Sequence, residues 1–513
     1  MSNRIENASR NLAWGLINKL LAILLPFITR TVLIYTLGVE YVGLNTLFVS
    51  VLNVLNLAEL GIGSALVFSM YKPVEEDDRT RLSALLALYR RCYRVIGAVI
   101  LTVGLLLMPF LPYLIEGTYP SDVNLYLLYG IYLANTVVSY FLFAYKQSLF
   151  IASQRNDWIS NINSALLIVT TLLQVFFLIC FGSYYLYVLV LPMVTCINNI
   201  AICILFRKKF PWARSVGTLD KETLKTIKTN VIGLMTQKIG TVVLSSASSV
   251  IISAFLGLVI LGKYNNYYYI ITALFGFLTI VQTSIIPSIG NSIITTSKEK
   301  NYTDFRCFLF LYVWILSWFA VCFLVLSESF VSLWVGKSNV LSLDVVVLMS
   351  LFMYAYKMND MTYVFREATG IWYQGMFIPI IAALVNIGLS LTLVNYWGLL
   401  GVLFSGIASL LLVYTPWYSR VLFKYYFDDM SKWKAYLLTQ GKYFLVTLGA
   451  AIVTFAAASL IPTDCTMTTL LLKALVALFI PNLLFMLVYH RSKEFISAKA
   501  LIESIIRKRR GNK

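Results

Sequence analysis

The chain has 513 residues, of which 59% are hydrophobic and only 12% charged, with a mean hydropathy of +0.79. A soluble domain carries roughly twice that charged fraction, so the composition excludes an ordinary soluble enzyme. The net charge of +18 would suit nucleic acid, but the cations cluster in short connections on one side of the apolar runs, as the positive-inside rule expects of a membrane protein.

In chain order, apolar runs occupy 12–36, 41–70, 92–115, 123–150, 158–181, 184–206, 231–256, 264–290, 305–327, 343–365, 376–395, 399–423, 441–461 and 468–490. Each approaches the ~20 residues that a spanning helix needs. Helices close their own backbone hydrogen bonds, so the expected fold is an all-α integral membrane protein with about 14 transmembrane helices. The first run is too long and too charged for a cleaved signal peptide. Loops on the starting side hold Lys72, Arg79, Arg81, Arg155, Arg207, Lys208, Lys209 and Lys298, whereas the opposite loops hold only Lys263 and Lys337. That bias places both termini in the cytoplasm.

Two basic segments stand outside the spans: "RKKFPWARSVGTLDKETLKTIKTN" (Arg207–Asn230) and the tail "SKEFISAKALIESIIRKRRGNK". Both suit an anionic membrane face, and a solvated linker and tail are the alternative. The seven cysteines form no CxxC pair and read as apolar filler. A single histidine, His490, cannot build a metal site. With no Walker, HExxH or GxSxG motif, neither an enzyme nor a cofactor is expected.

The chain repeats itself. Asn11 aligns with Asn230, Lys19 with Lys238, Gly38 with Gly257 and Gly43 with Gly262; further on, Lys146 aligns with Arg366, Ile151 with Ile371 and Gln154 with Gln374. This predicts two parallel six-helix repeats forming two lobes, plus two extra C-terminal helices. The boundaries are an N-terminal lobe 1–206, a basic linker 207–230, a C-terminal lobe 231–423, extra helices in 424–490 and a basic tail 491–513. Parallel repeats about an axis along the membrane normal are a transporter architecture.

Charges inside the spans are the candidate site. Each costs at least ~2.5–3.5 kcal/mol near the bilayer centre and normally faces a bundle interior or a watery cavity. Lys19 and Arg30 are eleven residues apart, about 20° from three full turns, so they share one helix face about 16 Å apart. Lys238 takes the place of Lys19 in the second half. Glu59 is read as a partner for Lys19 or Arg30, and Lys357 with Asp360 as an i, i+3 pair. Mutual neutralisation that locks the bundle is the competing reading. Arg90, Arg91, Arg94, Lys146, Arg306, Arg420 and Lys442 lie near the inner boundary, where headgroups are within reach. "YNNYYYI" (Tyr264–Ile270) and Tyr184, Tyr185 and Tyr187 are read as an interfacial aromatic belt in preference to a sugar-stacking surface.

"FITRTVLIYTLGVEYVGLNTLFVSVLNVLNLAELGIGSALVFSMYKPVEEDD" (Phe27–Asp78) resembles the start of Wzx-type polysaccharide flippases, of the superfamily that also holds multidrug exporters. "REATGIWYQGMF" (Arg366–Phe377), Asn386 and "WGLLGVLFSGIAS" (Trp397–Ser409) resemble the family's later signature. The resemblance implies a bacterial inner (plasma) membrane protein with a central cationic cavity and alternating access. It implies a substrate of oligosaccharide on polyprenyl pyrophosphate, moved from the inner to the outer leaflet for surface polysaccharide. The family's cavity Arg falls on Arg30, and the Glu of its "ELG" pattern on Glu59. Expected partners are that lipid-linked anionic oligosaccharide, anionic membrane lipids at the linker and tail, and polysaccharide-assembly proteins. The rivals are an exporter of cationic drugs coupled to H⁺ or Na⁺, which needs available carboxylates, and a polysaccharide polymerase, which needs a large outer loop.

Overall fold

A backbone surrounded by lipid must satisfy its own hydrogen bonds, and every regular element among the described residues is helical. The computed structural model describes residues 2–59, 61–371, 373–462, 466–500 and 503. The side chains of 1–17, 19, 58, 233, 234, 237, 241, 244, 245 and 287 lie outside that description. So do the expectations placed on the Lys19 side chain, on Cys465 and on the basic cluster of the last seven residues.

The first half comprises α1 (Ser2–Thr36), α2 (Val39–Leu55), α3 (Ile62–Glu75), α4 (Arg79–Leu107), α5 (Leu125–Phe141), α6 (Gln147–Ala152), α7 (Asn156–Phe181) and α8 (Tyr184–Lys209). Then follow α9 (Lys221–Thr295), α10 (Lys298–Val335), α11 (Leu343–Lys357), α12 (Asp360–Thr369) and α13 (Ile378–Trp397). The chain continues through α14 (Leu399–Ala408), α15 (Thr415–Leu422), α16 (Met430–Ser459) and α17 (Met467–Tyr489).

Among the described residues, nine helical stretches are long and apolar enough to cross a membrane. They become ten if α5 and its continuation 144–152, bent by 49°, form one span. The other runs read from the sequence are helical as well, but short, broken or merged. Leu20–Thr36 and Val39–Leu55 are short apolar helices. The run 343–365 is interrupted between α11 and α12, and 231–256 and 264–290 join in α9 across a non-helical Gly257.

That glycine and its repeat mate share a conformation. Gly38 has φ 113 and ψ 170, and Gly257 has φ 81 and ψ 174. This region of backbone space is open almost only to glycine. Each glycine separates two helical segments, so at this pair of positions the repeat in the letters is matched by the backbone.

Contacts divide the molecule into two compact units, Met1–Asn265 and Asn266–Lys513. The division falls inside α9, later than the linker at which the repeat begins, because residues 231–265 pack on the first helices. A Cβ on Gly61 would lie 2.5 Å from the Val231 oxygen, and one on Gly43 only 2.1 Å from the Leu258 oxygen.

The linker also folds onto the first unit. The Ser215 hydroxyl donates to Tyr145 Oη at 3.2 Å, the Arg81 guanidinium donates to Thr223 Oγ1 at 3.1 Å, and Arg79 lies over the Trp212 ring at 5.4 Å. In the second unit the start of the tail is docked on α10. Glu494 pairs with Arg306, and Phe495 packs against Phe310 and Trp314. The two last helices are equally integral, since Val321 and Val325 of α10 form a core cluster with Ala458 of α16 and Ala477 of α17.

Candidate functional site

Arg30 lies near the end of α1, eight residues before the Gly38 turn, and Asn265 lies eight residues after the Gly257 turn. The two meet. Arg30 Nη1 donates to the Asn265 main-chain oxygen at 3.0 Å, and Nη2 donates to the Asn265 side-chain oxygen. A planar guanidinium fork suits two oxygens offered side by side. Lys238 sits nineteen residues before Gly257, and its ammonium donates to the Ser64 hydroxyl on α3 at 3.2 Å. At 1.5 Å per residue, Arg30 is about 12 Å and Lys238 about 28 Å along the helix from their turns. The turns themselves are in contact at Gly43 and Leu258, so the two cations stand on different levels, about 16 Å apart.

Glu59 ends the 3₁₀ turn Asn56–Glu59 that interrupts the second span. Its carboxylate accepts from the Tyr93 hydroxyl at 2.5 Å and from the Tyr140 hydroxyl. The Tyr89 hydroxyl is 3.2 Å from that of Tyr93. Among the described residues, Glu59 is therefore met by hydroxyls of α4 and α5 and not by the cation expected of it. The turn aims Glu59 at those helices, and no local spacing announces it.

In the second unit, Lys357 Nζ is 3.0 Å from Asp360 Oδ2, with both side chains nearly buried. The pair bridges the break between α11 and α12. Asp360 also accepts from Tyr312 and Gln282, and Lys357 lies 4.9 Å from the Phe275 ring centre. One carbonyl at the break is met from a neighbour, since the Gln440 side-chain amide donates to the Met358 oxygen at 2.9 Å; the Asn359 side-chain amide donates to Thr415 Oγ1 at 2.7 Å.

Two repeat-related cations are placed differently from the sequence reading. Lys146 does not reach headgroups; it is 8% exposed, with Nζ 3.0 Å from Cys203 Sγ and near the Phe143 and Phe206 rings. Phe143 is left-handed at φ 45, at the 49° bend between α5 and its continuation. Arg366, one residue past the apolar run 343–365, is 2% exposed. It donates to the Gln374 oxygen at 2.7 Å and to the Ile371 oxygen at 3.2 Å, and stacks 4.0 Å from the Tyr418 ring.

Four tyrosines of the clusters read as an aromatic belt pack inside the protein. Tyr264, Tyr267, Tyr184 and Tyr187 are buried. Tyr184 donates to the Tyr41 oxygen at 3.1 Å, and Tyr267 Oη accepts from Leu341 N at 3.1 Å. Their hydroxyls bind neighbouring segments, which periodicity does not reveal.

Residues 8–292 match the model of a family described as "Polysaccharide biosynthesis protein". Among solved structures, a lipid II flippase MurJ in an inward closed conformation is similar with a TM-score of 0.61 at 14% identity, over 93% of this chain and 98% of that one. An inward-facing multidrug resistance MATE family transporter of the MOP superfamily gives 0.56 at 15% identity, over 80% and 95%. A MATE transporter from Vibrio cholerae gives 0.52 at 13% identity, over 81% and 99%. At these identities the likeness shows a shared fold, and function must be argued from the site. No curated protein matches the chain.

Proposed function

The chain belongs to the polysaccharide biosynthesis protein family, and on that premise we propose that it is a flippase of a bacterial cell membrane. Its substrate is an oligosaccharide linked to polyprenyl pyrophosphate, moved from the inner to the outer leaflet by alternating access, with both protein termini in the cytoplasm.

The observation that carries the reading is the two-level placement of intramembrane cations. Lys238, toward the cytoplasmic end of its helix, donates to a neutral hydroxyl. Arg30, about 16 Å further out, donates to a neutral amide. A pyrophosphate is too short to hold both at once, so it meets them in succession: Lys238 and its repeat mate Lys19 first, then Arg30. The lipid tail stays in the bilayer while the sugar crosses. A negative cell interior favours outward movement of the anionic head by ~2.3 kcal/mol per charge per 100 mV. Glu59, held by tyrosine hydroxyls near the level of Lys238, discourages the phosphate from resting there. Lys357 and Asp360 serve the second half through their pair. The basic linker and tail contact anionic lipids, and polysaccharide-assembly proteins receive the product.

The second reading, an ion-coupled multidrug exporter, rests on the two intramembrane carboxylates, Glu59 and Asp360. Both already accept hydrogen bonds from protein donors, which favours the flippase. The deciding experiment reconstitutes the protein in vesicles with a fluorescent polyprenyl-pyrophosphate oligosaccharide. Arg30→Ala and Lys238→Ala each slow flipping while the chain stays folded; normal flipping by both rejects the assignment.

A further inference from the structure

We propose that Asn265 is a positioning residue that keeps the Arg30 guanidinium until the substrate's pyrophosphate takes it, so that substrate binding itself loosens the contact between α1–α2 and residues 258–265 of α9. The inference rests on Arg30 meeting pyrophosphate, as argued above.

Three features of the first unit support it. Two Arg30 donors reach two oxygens of a single residue, 235 positions away in the chain. The acceptor is a neutral amide. An anionic phosphate makes charge-assisted hydrogen bonds roughly twice as strong as a neutral acceptor, so it displaces Asn265, whereas an aspartate there would compete on equal terms. Finally, Gly262 lies three residues before Asn265, on the same helix face, and is pressed on α2: a Cβ on it would lie 2.3 Å from the Val39 oxygen. The polar clasp and the glycine contact are thus one turn apart on one face. When the guanidinium leaves, that face loses this clasp and keeps the glycine contact.

Asn265 therefore sets both the affinity for the anionic head and the ease with which the contact parts. A residue that merely packs would lower binding whenever it is changed. A latch gives opposite responses to opposite substitutions.

The test uses the full chain in nanodiscs, with undecaprenyl pyrophosphate as the probe, plus the vesicle flipping assay. Asn265→Asp is expected to weaken probe binding about tenfold or more, because the new carboxylate retains the guanidinium. Its affinity should recover as pH falls and the carboxylate protonates, a dependence absent from the unaltered protein. Asn265→Ala is expected to bind the probe as tightly as the unaltered protein or more tightly. Loss of binding in both variants without pH-dependent recovery, or no change in either, overturns the latch. Normal flipping by Arg30→Ala instead removes the functional reading beneath it, so the two failures are told apart.

Discussion

Gly43 and Gly262 hold corresponding positions in the two repeats and meet backbone to backbone: a Cβ on Gly262 would lie 3.2 Å from the Gly43 nitrogen. No side chain fits without moving a helix. Gly43→Leu and Gly262→Leu are therefore expected to destabilise by about 1–3 kcal/mol or more through overpacking, read as a lower melting temperature in detergent. Gly449→Ala is the control. Nothing lies within 4 Å of its Cβ position, and alanine in a helix interior gains up to ~1 kcal/mol over glycine.

The turn glycines separate strain from space. Gly38 and Gly257 share a backbone region that costs other residues about 1–3 kcal/mol. At Gly38 nothing lies within 4 Å, whereas at Gly257 a Cβ would sit 2.9 Å from the Glu116 oxygen. Gly257→Ala is thus expected to lower the melting temperature more than Gly38→Ala. Equal shifts would mean that strain alone decides.

The Lys357–Asp360 pair carries a sharper prediction. Both side chains are nearly buried, and removing one member of such a pair costs roughly 3–5 kcal/mol because the other charge is stranded. Lys357→Met should destabilise strongly, and Lys357→Met with Asp360→Asn should recover most of the loss. If Lys357 instead touches substrate directly, Lys357→Met slows flipping with the melting temperature unchanged. Measuring both quantities on the same preparations separates these outcomes.

The repeat was legible because it is written in residues with few substitutes. Gly38 and Gly257 recur because only glycine takes that turn, and the apolar runs recur because only helices cross lipid. The helix breaks were not legible. Asn56, Glu59, Asn359 and Asp360 register in the sequence only as polar residues within apolar runs. At those breaks the polar groups are met by distant donors: Tyr93 and Tyr140 at Glu59, Tyr312 at Asp360 and Gln440 at Met358. Arg30 was legible as a membrane-embedded cation, but its partner was not. Asn265 lay in a tyrosine-rich stretch read as an interfacial belt, and nothing local connects the two.

Lys146 and Arg366 align in the repeat and are both buried, yet they are expected to respond differently to removal. Arg366 holds a loop: its guanidinium satisfies the oxygens of Ile371 and Gln374 where Gly370, at φ 72, turns the chain back. Arg366→Ala strands those carbonyls, at about 1–3 kcal/mol each, and should raise hydrogen exchange across residues 371–377. Arg366→Lys should fall between, since an ammonium lacks the planar fork that reaches both. Lys146 has a thiol and two phenyl rings as partners, so Lys146→Met leaves no strong acceptor stranded and relieves the desolvation of an ammonium. Its melting temperature should match or exceed that of the unaltered protein. A loss for Lys146→Met as large as that for Arg366→Ala would instead show that the ammonium holds the α5–α6 bend as firmly as Arg366 holds its loop.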